Sequence, residues 1–499
     1  MMIGIQLISL AFFLAAFCFL LQEMFFMKKR KRLPPGPKGL PILGHLHMLG
    51  KNPHQDLCKL ARKHGPIMHL QFGFVPAIIV SSPEAAEKFL KTYDHVFASR
   101  PHHESSWYVG YGQRNLTFGP YGSYWRNMRK LCIIQLLSKQ KINSFLPMRK
   151  KEVGALVESL KRAASDSSAV DLTAAISSLG ANMSCLMIFG KKYMDKDIGD
   201  RGFKHVIKEA MRMGAIPNLG DFFPGLGVLD LQGITRKMKA LSKVFDRFFE
   251  RIIDEHLQSK EHKEPKDFVD IMLEIMQSGQ SEFKFDHRNI KAVLLDMLVA
   301  TTDSSGTAVE WALSELLRHP ESMKKLQKEL GEKIGMDRTV EETELESLEY
   351  LNMVLKETMR LHPVGPLMLP HESMEDCEVD GFRIPKKSRI LVNIWAIGRD
   401  PNVWPDPERF MPERFEKDDV DFRGQDFRLI PFGSGRRSCP GLHLGFTVFR
   451  FLLAQLVHCF DWKLAYDIQP NELDMSEVFG LVTSRAQPLR VIPKYRLEG

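Results

Sequence analysis

A cysteine held in a glycine-rich turn, just ahead of an apolar helix, constrains this chain more than any other feature. The stretch reads Phe432-Gly433-Ser434-Gly435-Arg436-Arg437-Ser438-Cys439-Pro440-Gly441, and the residues after it predict a helix over Leu442–Cys459. A cysteine there receives backbone N–H groups and the positive end of the helix dipole. Both favour thiolate over thiol, and the thiolate is the form that binds metal. The glycines let a flat, bulky group approach the backbone, and Arg437 aims a fixed positive charge beside the sulfur. A phosphate loop would need Gly-x-x-x-x-Gly-Lys, which is absent, and a zinc site would need further Cys or His ligands nearby. A single axial thiolate points to haem.

Composition narrows the class. The 499 residues are 44% hydrophobic and 26% charged, which excludes a disordered, collagenous or coiled-coil chain. Seven cysteines are too few, and odd in number, for a disulfide framework. The net charge is +8, but the run Lys28-Lys29-Arg30-Lys31-Arg32 supplies most of it. What remains is no footprint for nucleic acid, so no nucleic-acid partner is expected.

That basic run follows a stretch, Ile3 to Leu21, without a charged side chain. Nineteen helical residues span about 28 Å, matching a bilayer core of about 30 Å. A cleaved signal peptide would have a shorter apolar stretch with its charges ahead of it. Residues 1–27 are therefore expected to be a transmembrane anchor, with the N-terminus lumenal and the body cytosolic. Residues 28–41 form a basic, proline-rich strap around Leu33-Pro34-Pro35-Gly36-Pro37, stiff and extended. Residues 42–499 make one large domain.

No second hydrophobic span is evident in that domain. Polar Gln258–Lys266 is expected to be a mobile surface loop. Strands are expected over Ile67–Phe72, Ala77–Val80 and near Ile390–Ile394. Helical spacing covers Glu84–Lys91, Tyr124–Leu137, Met148–Ala164, Thr235–Gln258, Asn289–Arg318, Pro320–Gly331 and Ser347–Leu361. The fold class is thus mainly α with a small β-rich part, behind a single N-terminal transmembrane helix.

The pattern Phe-x-x-Gly-x-Arg-x-Cys-x-Gly resembles the ligand loop of the haem-thiolate monooxygenases, the cytochrome P-450 family. The resemblance implies Cys439 as the iron ligand of a haem b, with Phe432, Arg437 and Gly441 against the cofactor. Trp125 and Arg129 match the family's Trp-x-x-x-Arg helix, which binds haem propionates. Glu357 and Arg360 look like its Glu-x-x-Arg pair, locked by a later arginine. The echo Pro407-Glu-Arg409-Phe and Pro412-Glu-Arg414-Phe offers two, of which Arg414 fits the spacing better. By bare physics the i,i+3 pair could be only a surface contact worth about 0.2–0.5 kcal/mol, whereas the resemblance implies a buried pair that locks the ligand loop. The wording of Ser99-Arg100-Pro101 and Pro431–Arg437 is similar to that of plant microsomal members acting on specialised metabolites.

Ala300-Thr301-Thr302-Asp303-Ser304-Ser305 sits mid-helix, where a carboxylate beside a hydroxyl can pass protons inward, and cleaving an O–O bond consumes two. Asp303 and Ser304 are the expected catalytic pair. Thr301 replaces the family's usual Gly, and Ser304 its usual Thr, a hydroxyl with a freer rotamer. By the same analogy Phe118, Ala300, Val364, Leu367, Met368, Phe479 and Leu481 line an apolar substrate pocket. The chain carries no flavin or nicotinamide fingerprint, so electrons from NADPH would come through a separate membrane-bound reductase. Arg126, Lys130 and Arg436 are its expected contacts. The expected activity is NADPH- and dioxygen-dependent hydroxylation of a small lipophilic plant metabolite, aromatic, phenylpropanoid-type or terpenoid, at the endoplasmic reticulum membrane. The alternatives are a haem-dependent dehydratase or isomerase, and more remotely a haem-binding sensor.

Overall fold

The computed structural model describes residues 33–193, 202–259, 264–279 and 282–498. The expected anchor, the Lys28–Arg32 run and part of the expected 258–266 loop lie outside the described residues. From Leu33 onward the strap is non-helical and is pinned at Pro35 and Pro37. His69 N–H donates to Pro35 O at 2.9 Å, and His45 Nε2 lies 2.9 Å from Pro37 O.

Nine of the helices among the described residues frame the site: α1 Ser123–Leu131, α2 Leu146–Ser165, α3 Leu172–Phe189, α4 Phe203–Ala215, α5 Ile234–Gln258, α6 His287–Arg318, α7 Pro320–Ile334, α8 Glu349–Leu361 and α9 Leu442–Cys459. The spacing of apolar residues foretold most of them to within a few residues. It passed over α3 and α4, and α1 ends at Leu131, with a wider turn over Cys132–Leu136. Helix α6 starts where Asp286 accepts from Arg288 N–H and Asn289 Oδ1 returns a bond to Asp286 N–H, closing the first turn. It stops at His319 because Pro320 bars the α conformation to the residue before it.

Helix α6 crosses the middle of the molecule, against α3 on one side and α8 and α9 on the other. One apolar cluster joins α2, α3, α8, α9 and the C-terminal half of α6; a second joins α5 to its N-terminal half. Helices α3 and α9 are each long and apolar enough to cross a membrane. That departs from the expectation of no second apolar span, and their burial in these clusters accounts for it.

The β-rich part is a four-stranded sheet in the order β1-β2-β4-β3, from β1 Ile67–Phe72, β2 Val75–Val80, β3 His371–Glu372 and β4 Arg389–Val392. β1 and β2 form an antiparallel hairpin pairing Ile67 with Val80, and β4 runs parallel to β2 with Ala77 opposite Arg389. Ile394 falls in the short helix Ile394–Ile397, so the strand expected there ends earlier. A second sheet pairs Phe460–Leu464 with Arg490–Tyr495.

Candidate active site around Cys439

Two backbone constraints shape the cysteine turn. Cys439 N–H donates to Phe432 O at 2.8 Å, closing the loop on itself. Gly435 sits at φ +68, where a Cβ would stand 2.2 Å from Leu90 O, so only glycine fits. Cys439 is exposed by area, yet burial is the main influence on its thiol and pushes the pKa up. Both hold if the sulfur faces an internal void. The Gly441 N–H and the Arg129 charge pull the other way, toward thiolate. Ala300 in the middle of α6 is likewise exposed, between half-buried Val299 and Thr301.

Beside the turn lie three arginines without an ion-paired carboxylate among the described residues. Arg437 donates to Ala98 O (2.6 Å), Leu116 O (3.3 Å) and Gly119 O (2.6 Å), with its guanidinium 3.7 Å from the Trp125 ring. Arg100 donates to Thr117 O, Leu369 O and Pro370 O. Arg129 donates to Ser438 O at 2.6 Å, tying α1 to the cysteine turn. Burial, and then the neighbouring guanidiniums, draw the Arg437 pKa down to about 8 and that of Arg100 to about 9. Arginine keeps its proton regardless, so the cluster is buried positive charge. The Trp125 indole N–H is already donated to Leu116 O at 2.9 Å, so this tryptophan serves the cluster as a platform rather than as a donor. His371 closes the rim: its Nδ1 lies 2.9 Å from Phe97 O, and its buried Nε2 has no partner.

Behind this cluster, Glu357 and Arg360 meet with no solvent exposure on either side chain, so they are not the surface pair that spacing alone allows. Arg360 makes a two-pronged contact at 2.7 and 2.8 Å, and Arg414 Nε adds a third bond to Glu357 at 3.0 Å. Arg409 enters only through its carbonyl, which accepts from both Arg360 and Arg414.

On α6 the hydroxyls turn back on the helix: Thr301 to Met297 O, Thr302 to Leu298 O and Ser304 to Ala300 O, at 2.6–2.7 Å. The helix is unbroken nevertheless. Asp303 accepts from Ser177 of α3 at 3.0 Å and, with Thr307 and Glu310, faces a cavity of about 780 Å³. Of the expected pocket residues, Phe479 and Leu481 line this cavity. Met368 instead packs on Gly433, Leu367 joins the sheet cluster, Val364 packs on the helical core, and Phe118 stacks on His103 at 4.8 Å. All four are half-buried, so these contacts cover only part of each side chain.

Among the expected reductase contacts, Arg126 is exposed and Lys130 reaches Glu282 at 3.4 Å. Arg436 is paired with buried Asp94 at 2.8 Å, so it braces the turn.

A family model described as Cytochrome P450 matches residues 34–490. The chain belongs to that family. It is 48% identical over 478 residues to cytochrome P450 CYP736A12 of Panax ginseng, covering 94% of this chain and 95% of that one. It is 42% identical to the flavonoid 3'-monooxygenase CYP75B137 of Crocosmia x crocosmiiflora (93% of each chain) and to the phenylacetaldehyde oxime monooxygenase CYP71AN24 of Prunus mume (93% and 90%). In fold it is similar to a zebra fish cytochrome P450 solved with progesterone, with a TM-score of 0.77 at 24% identity over 89% of this chain and 99% of that one.

As a cytochrome P450 the chain is a haem-thiolate monooxygenase, with NADPH electrons delivered by a separate reductase. The residues present fit the haem. A desolvated sulfur faces a void, and the uncompensated arginines with the unpartnered His371 Nε2 supply what two propionates need. Arg100, His371, Ser177 and Asp296 escaped the sequence reading. Asp296 is half-buried and accepts from Asn115 Nδ2, Leu116 N–H and Thr117 N–H, fastening the loop whose carbonyls hold the arginines. Only Arg100 carried a signal, in the Ser99-Arg100-Pro101 wording.

Proposed function

We propose that this cytochrome P450 hydroxylates a small lipophilic metabolite, of aromatic, phenylpropanoid or terpenoid type, from an anchored position on the endoplasmic reticulum membrane. Cys439 is the iron ligand, and Arg100, Arg129, Arg437 and His371 hold the propionates. The single observation that carries this is the arginine cluster beside a desolvated cysteine, positive charge with no protein anion to meet it. When bound, the haem supplies oxygen activation, and the thiolate pushes electron density toward O–O cleavage.

The protein's part is to steer protons and exclude water. Asp303 takes up protons from the cavity, with Ser177 holding one carboxylate oxygen in place. The Ser304 hydroxyl, one residue on, donates at the reacting face when it swings from Ala300 O. Met211, Ile216, Phe222, Phe479 and Leu481 line the cavity and grip an apolar skeleton through buried area, about 25 cal/mol per Å².

An apolar surface supports the membrane reading. Val228, Leu229 and Leu231 are 91%, 62% and 66% exposed, and Ile42, Leu43 and Phe74 are exposed next to them. The groups are joined, since Phe74 N–H donates to Phe222 O, Phe74 packs on Phe223, and Gly73 N–H donates to Leu43 O. Leu46, Leu49, Leu219 and Phe222 of the cavity wall adjoin this patch, which suits the entry of a lipophilic substrate from the bilayer.

The deciding experiment is the reduced carbon-monoxide spectrum of microsomes. A trans thiolate gives a red-shifted Soret band, which Cys439→Ala should abolish. A band that survives in Cys439→Ala overturns the assignment. Product formed without NADPH consumption would favour the dehydratase chemistry.

A further inference from the structure

Resting on the reading of this cavity as the substrate site, we propose that the substrate is an amphiphile with a carboxylate at one end, held at the cavity mouth by Lys208, Arg212 and Lys51. All three cations line the cavity, and none has a carboxylate within ion-pair distance among the described residues. Lys208 and Arg212 stand four residues apart on one face of α4, where like charges repel and cost helix stability unless an anion sits between them. Elsewhere on this surface cations are commonly matched, as with Lys191–Glu255 and Lys325–Glu413.

The far end has the opposite sign. Asp303 and Glu310, seven residues apart on α6, face the same cavity, with Thr307 between them. Glu310 is already held by Thr173 Oγ1 at 2.5 Å and by Arg485 at 3.6 Å. A second anion at that end would be repelled. The walls between are apolar: Met211, Ile216, Phe479 and Leu481. Such a cavity orients its ligand, with the carboxylate outward and the apolar end toward Asp303.

Matched pairs test this on the haem-loaded, full-length protein. The probes are dodecanoate against methyl dodecanoate, and 3-phenylpropanoate against its methyl ester. Affinity is read by calorimetry and by the substrate-induced optical shift. Each acid should bind about fivefold tighter than its ester in low salt, as two partly solvated charge contacts allow. That preference should shrink toward unity in 0.5 M salt and in Lys208→Gln/Arg212→Gln, with ester affinity unchanged. Dodecanedioate should bind more weakly than dodecanoate, because its second carboxylate must meet Asp303 and Glu310. This arm needs no variant to fold. Esters binding as well as acids, or a preference indifferent to the two substitutions, would overturn the proposal. So would a double variant that keeps the preference and loses adherence to phosphatidylserine vesicles, since the cations would then serve lipid headgroups. The carbon-monoxide band reports the thiolate haem in each case, so failure here is separable from failure of the monooxygenase reading.

Discussion

Asp296 and Arg437 do not touch, yet they grip the two ends of one residue: Asp296 accepts from Leu116 N–H at 2.6 Å, and Arg437 donates to Leu116 O at 3.3 Å. Helix α6 thereby sets the position of the charge beside the cysteine turn. Asp296→Asn exchanges one acceptor oxygen for an N–H donor, leaving a buried N–H unmet at about 1–3 kcal/mol. The variant should purify with less haem per protein, measured as the ratio of Soret to protein absorbance. Loading equal to wild type would detach Asp296 from the cradle.

The buried ion triad predicts a contrast between two neighbouring arginines. Glu357→Ala strands two buried guanidiniums, at about 3–5 kcal/mol, while Arg360→Ala and Arg414→Ala each take one partner from the carboxylate; all three should yield protein without haem. Arg409→Ala keeps the carbonyl that the triad uses and should load normally. Equal behaviour of Arg409→Ala and Arg414→Ala would remove the distinction.

Glu315 gives a pH window. Burial pushes its carboxyl up, but hydrogen bonds from His319 and His362 outweigh that and hold it at about 2, against an ordinary 4.5. The folded state is thus favoured above pH 4.5, and this contribution is lost as pH falls from 4.5 toward 2. Between pH 5 and 3 the urea midpoint of wild type should fall more steeply than that of Glu315→Gln. Parallel slopes would mean the carboxylate titrates alike in folded and unfolded chains.

At the oxygen chemistry, Ser304→Ala should keep NADPH consumption near normal while product drops about tenfold or more and hydrogen peroxide rises. Asp303→Asn should slow consumption and product together, and Ser177→Ala should do the same more mildly through a looser carboxylate. Ser304→Thr should hold or raise product per NADPH. Unchanged coupling in Ser304→Ala would pass its role to Thr301, Thr302, Ser305 or water.

For topology, the two glycosylation motifs are not equivalent. Asn115 is buried and bonded to Asp296, so its silence would say nothing about sidedness. Asn182 carries that test and should bear no glycan in a eukaryotic cell. Protein lacking residues 1–27 should retain haem and part of its membrane affinity. Val228→Ser with Leu229→Ser should remove most of that remainder in a vesicle flotation assay.

What the sequence made legible was local chemistry. The cysteine turn and α9 lie within about thirty residues and speak through glycine spacing and apolar period. Arg100 and His371 depend on closures across the chain: Arg100 donates to Leu369 O and Pro370 O, 269 and 270 residues away, and no periodicity encodes that. Ser177 hid in α3, whose hydroxyls and small residues give no clean stripe because the helix is buried on most sides. Glu357 and Arg360 were legible as a pair, but only burial turns a weak surface contact into a haem-critical one. The pocket residues drawn by analogy were legible only as a group, because side-chain direction is set by long-range contacts: Leu367 is bridged to Asn393 and packs partly against the sheet cluster.

At Gly180 a Cβ would stand 2.2 Å from Thr302 O, so α3 and α6 cross there backbone on backbone. The hydroxyls beside that crossing add to it: Thr301 Oγ1 lies 2.7 Å from Ser184 Oγ of α3, and Ser177 Oγ donates to Asp303 at 3.0 Å. Helix swaps between relatives should therefore keep their catalytic register when glycine is carried at this position, and lose it otherwise.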